Sequence, residues 1–81
     1  MPAPPLRRMH GDAIYEEGTP RLSLEYWRRQ TTDRIIASLL PHLRASFKVR
    51  ADGLIVDGNT RIRILVEREV EVNNLPREMA E

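Results

Sequence analysis

The run Asp57-Gly58-Asn59-Thr60-Arg61 holds the residue types in this chain best placed to do chemistry. It follows three apolar residues of strand character, Leu54-Ile55-Val56, and precedes a helical pattern. A sharp strand-to-helix turn leaves the first N–H groups of the helix without intrahelical partners, at the positive end of its dipole. Such a corner attracts anions. Arg61 stands at the same corner with a forked, always-charged donor. A phosphate or carboxylate is therefore the ligand class expected at Gly58, Asn59, Thr60 and Arg61. The competing reading is a capped connection in which Arg61 pairs with Asp57 or another nearby acid.

A second set of residues is basic. Residues 21–50 carry seven Lys/Arg against Glu25 and Asp33, whereas residues 51–81 carry four Arg against seven acids. This polarity suits nucleic-acid binding or head-to-tail self-association, and equally a solvated surface. Arg28, Arg29, Arg44, Lys48 and Arg50 are the candidate nucleic-acid contacts, with Trp27 as a stacking platform. Against that, a tryptophan one turn after Leu24 suits a core anchor. Arg44, Lys48 and Arg50 also suit a charged sheet edge that resists aggregation.

His10 and His42 have no partner at metal-ligand spacing, and Asp12, Glu16 and Glu17 form no acid/base pair. The chain contains no cysteine, which excludes thiolate chemistry and disulfides. No catalytic residue and no metal are expected, and the one cofactor class in view is a nucleotide at the turn.

The elements that must position these residues follow from pattern. Met1-Pro2-Ala3-Pro4-Pro5 and the Gly- and acid-rich residues that follow predict a disordered segment over 1–18, ahead of a domain over 19–81. A domain of that size is marginal alone, so a protein partner or a homodimer is expected. Ser23 is expected to cap a helix over 23–30, and Thr32 a second through Leu40. Ile35, Ile36, Leu39 and Leu40 form the inward stripe of that second helix. Ser46 to Arg50 alternates with the strand period, Ala51-Asp52-Gly53 turns, and Leu54-Ile55-Val56 returns as a strand buried on both faces. Asn59 or Thr60 caps a helix to about Glu69, with Ile62, Leu65 and Val66 inward. Val70-Glu71-Val72 predicts a last short strand, and Pro76 opens a final helical turn. No stretch approaches the roughly 20 apolar residues of a membrane span, nor the apolar centre of a signal peptide, so a cytoplasmic location is expected.

This order of elements resembles the ParB/sulfiredoxin-like superfamily over about residues 24–76. Residues 33–40 are similar to its LaxSI-type helix, and 46–56 to its strand pair. Asp57–Arg61 is similar to its G-x-x-R turn, with 62–69 as the helix behind it. The resemblance implies a small α+β domain whose turn lies on the phosphates of a nucleotide. Gly58 would then allow close backbone approach, and Arg61 would face the phosphate. Asn59 and Thr60 stand where nucleotide-hydrolysing ParB proteins commonly have Glu and Arg, and the reactive cysteine of sulfiredoxins is missing. The resemblance thus implies a minimal or degenerate member: a non-catalytic binding or regulatory module. The alternatives are a DNA- or RNA-associated protein using 28–50, of plasmid-partition or antitoxin type, and a minimal nucleotide hydrolase.

Overall fold

A computed structural model describes residues 4–80 of the chain. Three helices, α1 (Gly18–Arg28), α2 (Thr32–Ser38) and α3 (Asn59–Glu67), combine with three short strands, β1 (Lys48–Arg50), β2 (Ile55–Asp57) and β3 (Glu78–Ala80). Two 3-10 turns, Asp12–Glu16 and Val72–Asn74, complete a small α+β domain. Among the described residues, no helix is long and apolar enough to cross a membrane.

The sheet order is β2-β1-β3. Strand β1 pairs antiparallel with β2, through the Ala51-Asp52-Gly53 turn, and parallel with β3. Gly53 has φ +91°, which only glycine adopts cheaply, and a Cβ there would run into the Pro5 carbonyl. The last strand is not Val70-Glu71-Val72. Glu71 instead accepts the Asn73 N–H (3.3 Å) and holds the 3-10 turn, and the chain after Pro76 is extended rather than helical. Strand β2 is fully buried only at Ile55, because one face of the small sheet stays open. Lys48 and Arg50 lie on the central strand, flanking buried Val49, so they point away from the core and protect no edge.

Helix α1 begins five residues before Ser23. Pro20 sits in its first turn, where a missing N–H costs nothing. Its C-terminal end is closed from a distance: Arg68 donates to the Arg28 carbonyl (3.0 Å) and the Gln30 carbonyl (3.0 Å). Helix α2 is capped by Thr31, whose Oγ1 accepts the Arg34 N–H (3.2 Å), and ends before Leu39. Ile35 and Leu39 enter the core, Ile36 is half-buried against it, and Leu40 is exposed.

Helix α3 is the hub, packed against α1, α2 and the second 3-10 turn. Its buried residues are Arg61, Ile62, Ile64 and Leu65. The inner face is therefore centred on Arg61 and Leu65, which brings Ile64 in and leaves Val66 55% exposed. Around it close Tyr15, Leu24, Phe47, Val49, Ile55 and Val72.

The segment expected to be disordered is laid along this core from Pro4 onward, while 1–3 lie outside the described residues. Arg7 forms a parallel bridge to Leu54, donating to the Gly53 carbonyl (2.9 Å) and accepting from the Ile55 N–H (2.8 Å). Tyr15 is buried. We refer to residues 4–17 as the strap.

Ser46 is buried, and its hydroxyl donates to the Glu78 carboxylate, fastening β3 beside β1. That hydrogen bond, with Lys48 nearby, holds the Glu78 carboxyl below its ordinary value of 4.5. A lowered native pKa adds stability above the unfolded value, and that stability is lost as pH falls through the native one. Asp12, hydrogen-bonded by Arg8, and Asp52, hydrogen-bonded by the Leu54 N–H, shift the same way. Urea melts should therefore show stability falling below pH 4.5, and Glu78→Gln should make that fall shallower. An unchanged slope in the variant would mean that Glu78 carries none of it.

Candidate functional site at the start of helix α3

Gly58 takes the left-handed conformation, φ +102°, between β2 and α3. Its open side faces the core rather than solvent. A Cβ there would lie 3.1 Å from Leu39 Cδ2 and 3.5 Å from Phe47 Cδ1. The glycine is thus required by backbone conformation and by packing under the turn. No side chain caps the helix, and its first intrahelical bond runs from the Ile62 N–H to the Gly58 carbonyl (2.8 Å). The N–H groups of Asn59, Thr60 and Arg61 precede that bond and have no partner within the helix.

The two middle side chains of the turn are engaged with their own chain. Asn59 donates to the Ile55 carbonyl (3.0 Å) and accepts the Met9 N–H (2.7 Å). The Thr60 hydroxyl meets the Tyr15 hydroxyl at 2.9 Å. The contacts with Met9 and Tyr15 fasten the strap to the turn.

Arg61 is only 7% exposed. Its Nη1 donates to the carbonyl (3.2 Å) and the hydroxyl (3.1 Å) of Ser38, at the end of α2. The guanidinium also lies over the Trp27 ring, 5.2 Å from its centroid, a cation–π arrangement. The expected pairing with Asp57 is not formed, and Asp57 instead pairs with Lys48 at 3.5 Å. Among the described residues, no carboxylate lies within ion-pairing distance of Arg61. Burial draws its pKa below the ordinary arginine value, and the more distant charge of Asp57 works against that. An arginine stays charged through such a shift, so the site holds a buried cation that no carboxylate of the described residues pairs.

Gly58 to Arg61 form one wall of a groove of about 460 Å³. Trp27, Thr19 and Ser23 of α1 and His10 and Tyr15 of the strap also line it. Trp27 is half-buried against the core, so the anchor reading describes it, while its ring still borders the groove. The hydroxyl rim and the strap wall escaped notice in the sequence. Thr19 and Ser23 lie four apart, one helical turn, and that spacing was a usable signal once α1 was known to begin at Gly18.

The basic set is dispersed. Arg28 pairs with Glu67 (2.9 Å), Arg50 with Asp52 (3.0 Å) and Lys48 with Asp57 (3.5 Å). Among the described residues, Arg29 and Arg44 make no ion pair. No group of three or more His, Asp or Glu side chains converges as a metal site among those residues. Comparison of the chain with protein-family models, with curated proteins and with solved structures found no match.

Proposed function

We infer that this protein is a non-catalytic binding module that holds a small anion, of phosphate type, in the groove at the start of α3. The observation that carries this reading is Arg61: among the described residues its buried guanidinium has no carboxylate partner, and it lines the groove beside the N–H groups of Asn59, Thr60 and Arg61, which have no partner within the helix. A buried charge is ordinarily paired, and an anion here would complete the pair. The helix dipole and the free amides act in the same direction. Thr19 and Ser23, two hydroxyl-bearing residues, also line the groove. The resemblance to the ParB/sulfiredoxin-like superfamily supports the same turn as the phosphate contact and extends the ligand class to nucleotides. Its hydrolytic chemistry is disfavoured, because Asn59 and Thr60 supply neither an acid nor a base and are already bonded within the chain. The nucleic-acid reading is weaker, since carboxylates already neutralise three of its five cations.

The test is a titration of the full chain with phosphate, with a nucleoside triphosphate and with a short DNA duplex, followed by amide NMR. Phosphate at constant ionic strength should move Asn59, Thr60 and Arg61 before any other amide. Unmoved amides at millimolar phosphate and nucleotide would exclude the anion site. Salt-dependent shifts from DNA, centred on Arg29 and Arg44, would favour nucleic acid instead.

A further inference from the structure

The strap and α3 enclose a second groove, away from the α3 start, with a volume of about 490 Å³. That is within the range of about 300–1,000 Å³ typical of small-molecule sites. Its walls are apolar: Leu6 of the strap, Ile62 and Val66 of α3, and Val72 of the second 3-10 turn. Val66 is the large apolar residue of α3 that the fold leaves open.

One side of the groove is charged, with Arg8, Asp12, Arg63 and Glu67 in its lining. Arg8 donates to Asp12 at 2.7 Å, and Arg63 reaches the same oxygen at 3.9 Å. Arg63 also contacts Glu67 at 3.3 Å, and Glu67 receives two bonds from Arg28, at 2.9 and 3.1 Å. These two carboxylates leave part of the guanidinium donors unused. Among the described residues, Arg8 Nη1 and Arg63 Nη1 are the buried side-chain polar atoms without a hydrogen-bond partner. The Tyr15 ring lies 4.9 Å from the Arg63 guanidinium carbon and covers one of its faces, yet supplies no acceptor in the plane of those N–H groups. Both arginine side chains line the groove and keep some exposure.

We propose that this groove binds an aliphatic carboxylate, with its chain along Leu6, Ile62 and Val66 and its carboxylate on the Nη1 atoms of Arg8 and Arg63. A carboxylate matches the planar fork of a guanidinium and supplies acceptors for the two unpartnered Nη1 atoms. An inorganic anion would satisfy the charge but leave the apolar wall wet. An uncharged chain would cover the wall but leave the donors unused. The ligand must therefore carry both parts.

The experiment uses the full chain and three probes: decanoate below its micelle concentration, 1-decanol and acetate. Decanoate should shift the amides of Leu6, Arg63 and Val66 saturably, at least tenfold more tightly than either other probe. Arg63→Gln should weaken decanoate at least tenfold. Val66→Glu, at an exposed position, should do the same by narrowing the groove and adding a like charge. If Arg63→Gln does not fold, Arg8→Gln takes its place, and the same tenfold loss is expected. The proposal is overturned by the absence of saturable shifts, by decanol binding as well as decanoate, or by undiminished binding in the variants. It is also overturned if decanoate moves Asn59 to Arg61 instead. That result would place the carboxylate in the first groove, so the two sites are tested separately.

Discussion

Phe47→Ala is expected to unfold most of this protein at room temperature. Phe47 is 0% exposed and stands where every layer meets. Its backbone N–H donates to the Leu39 carbonyl (2.9 Å), at the end of α2, and its carbonyl accepts the Glu78 N–H (2.9 Å), at the start of β3. Its ring lies beneath Gly58 and carries the Arg77 guanidinium 5.0 Å above its centre. Removing a buried phenylalanine costs about 3–5 kcal/mol, part for lost transfer and part for the cavity. Native domains hold only about 5–15 kcal/mol, and a small one sits at the low end. Phe47→Leu keeps most of the volume and should cost under about 2 kcal/mol. Urea melts followed by the fluorescence of the single tryptophan, Trp27, compare the two. Equal midpoints for Phe47→Ala and the parent chain would show that the ring is not part of a packed core.

Which parts of this fold were legible depends on how local their causes are. The hairpin turn was readable because Asp52 and Gly53 act within the turn itself: Asp52 accepts the Leu54 N–H, and Gly53 supplies the positive φ. The α3 start was readable for the same reason, since Gly58 alone sets the corner. Strand β3 was not readable. Its three residues have no clear period, and their pairing with β1 spans some thirty positions and runs parallel. Val70-Glu71-Val72 has the better strand pattern, but the Glu71 side chain bonds its own neighbour and bends the chain. The strap misled for another reason. Proline and glycine suppress any periodic signal there, while the contacts that place it, Arg7 to β2 and Tyr15 to Thr60, are each made by single residues. At the candidate site, position was legible and depth was not. An arginine is expected to face solvent, so the apolar pattern puts the inner face of α3 on Ile62, Leu65 and Val66. The actual face is centred on the cation, because Trp27 and the end of α2 receive it from other parts of the chain.

That depth changes what Arg61→Ala must do. An exposed arginine at an anion site would leave the fold intact when truncated. Here truncation removes two hydrogen bonds to Ser38 and the stack on Trp27. It also leaves the Ser38 carbonyl without that donor and opens space beside Trp27. Hydrogen bonds from charged groups are worth about 1.5–3 kcal/mol each in context, and the aliphatic stem adds packing. Arg61→Ala is therefore expected to lose about 2–4 kcal/mol of stability, with a shift in the Trp27 emission. Arg61→Met separates structure from binding. Methionine keeps a long apolar stem against Trp27 and removes the charge, so it should recover part of the stability. If the groove holds an anion, Arg61→Met should still lose phosphate binding at least tenfold while remaining folded. If Arg61→Met binds phosphate like the parent chain, the buried cation serves only to join α2, α3 and Trp27. Arg61→Lys discriminates further. Its compact ammonium cannot both reach Ser38 and present a fork to an anion, so binding should return only in part.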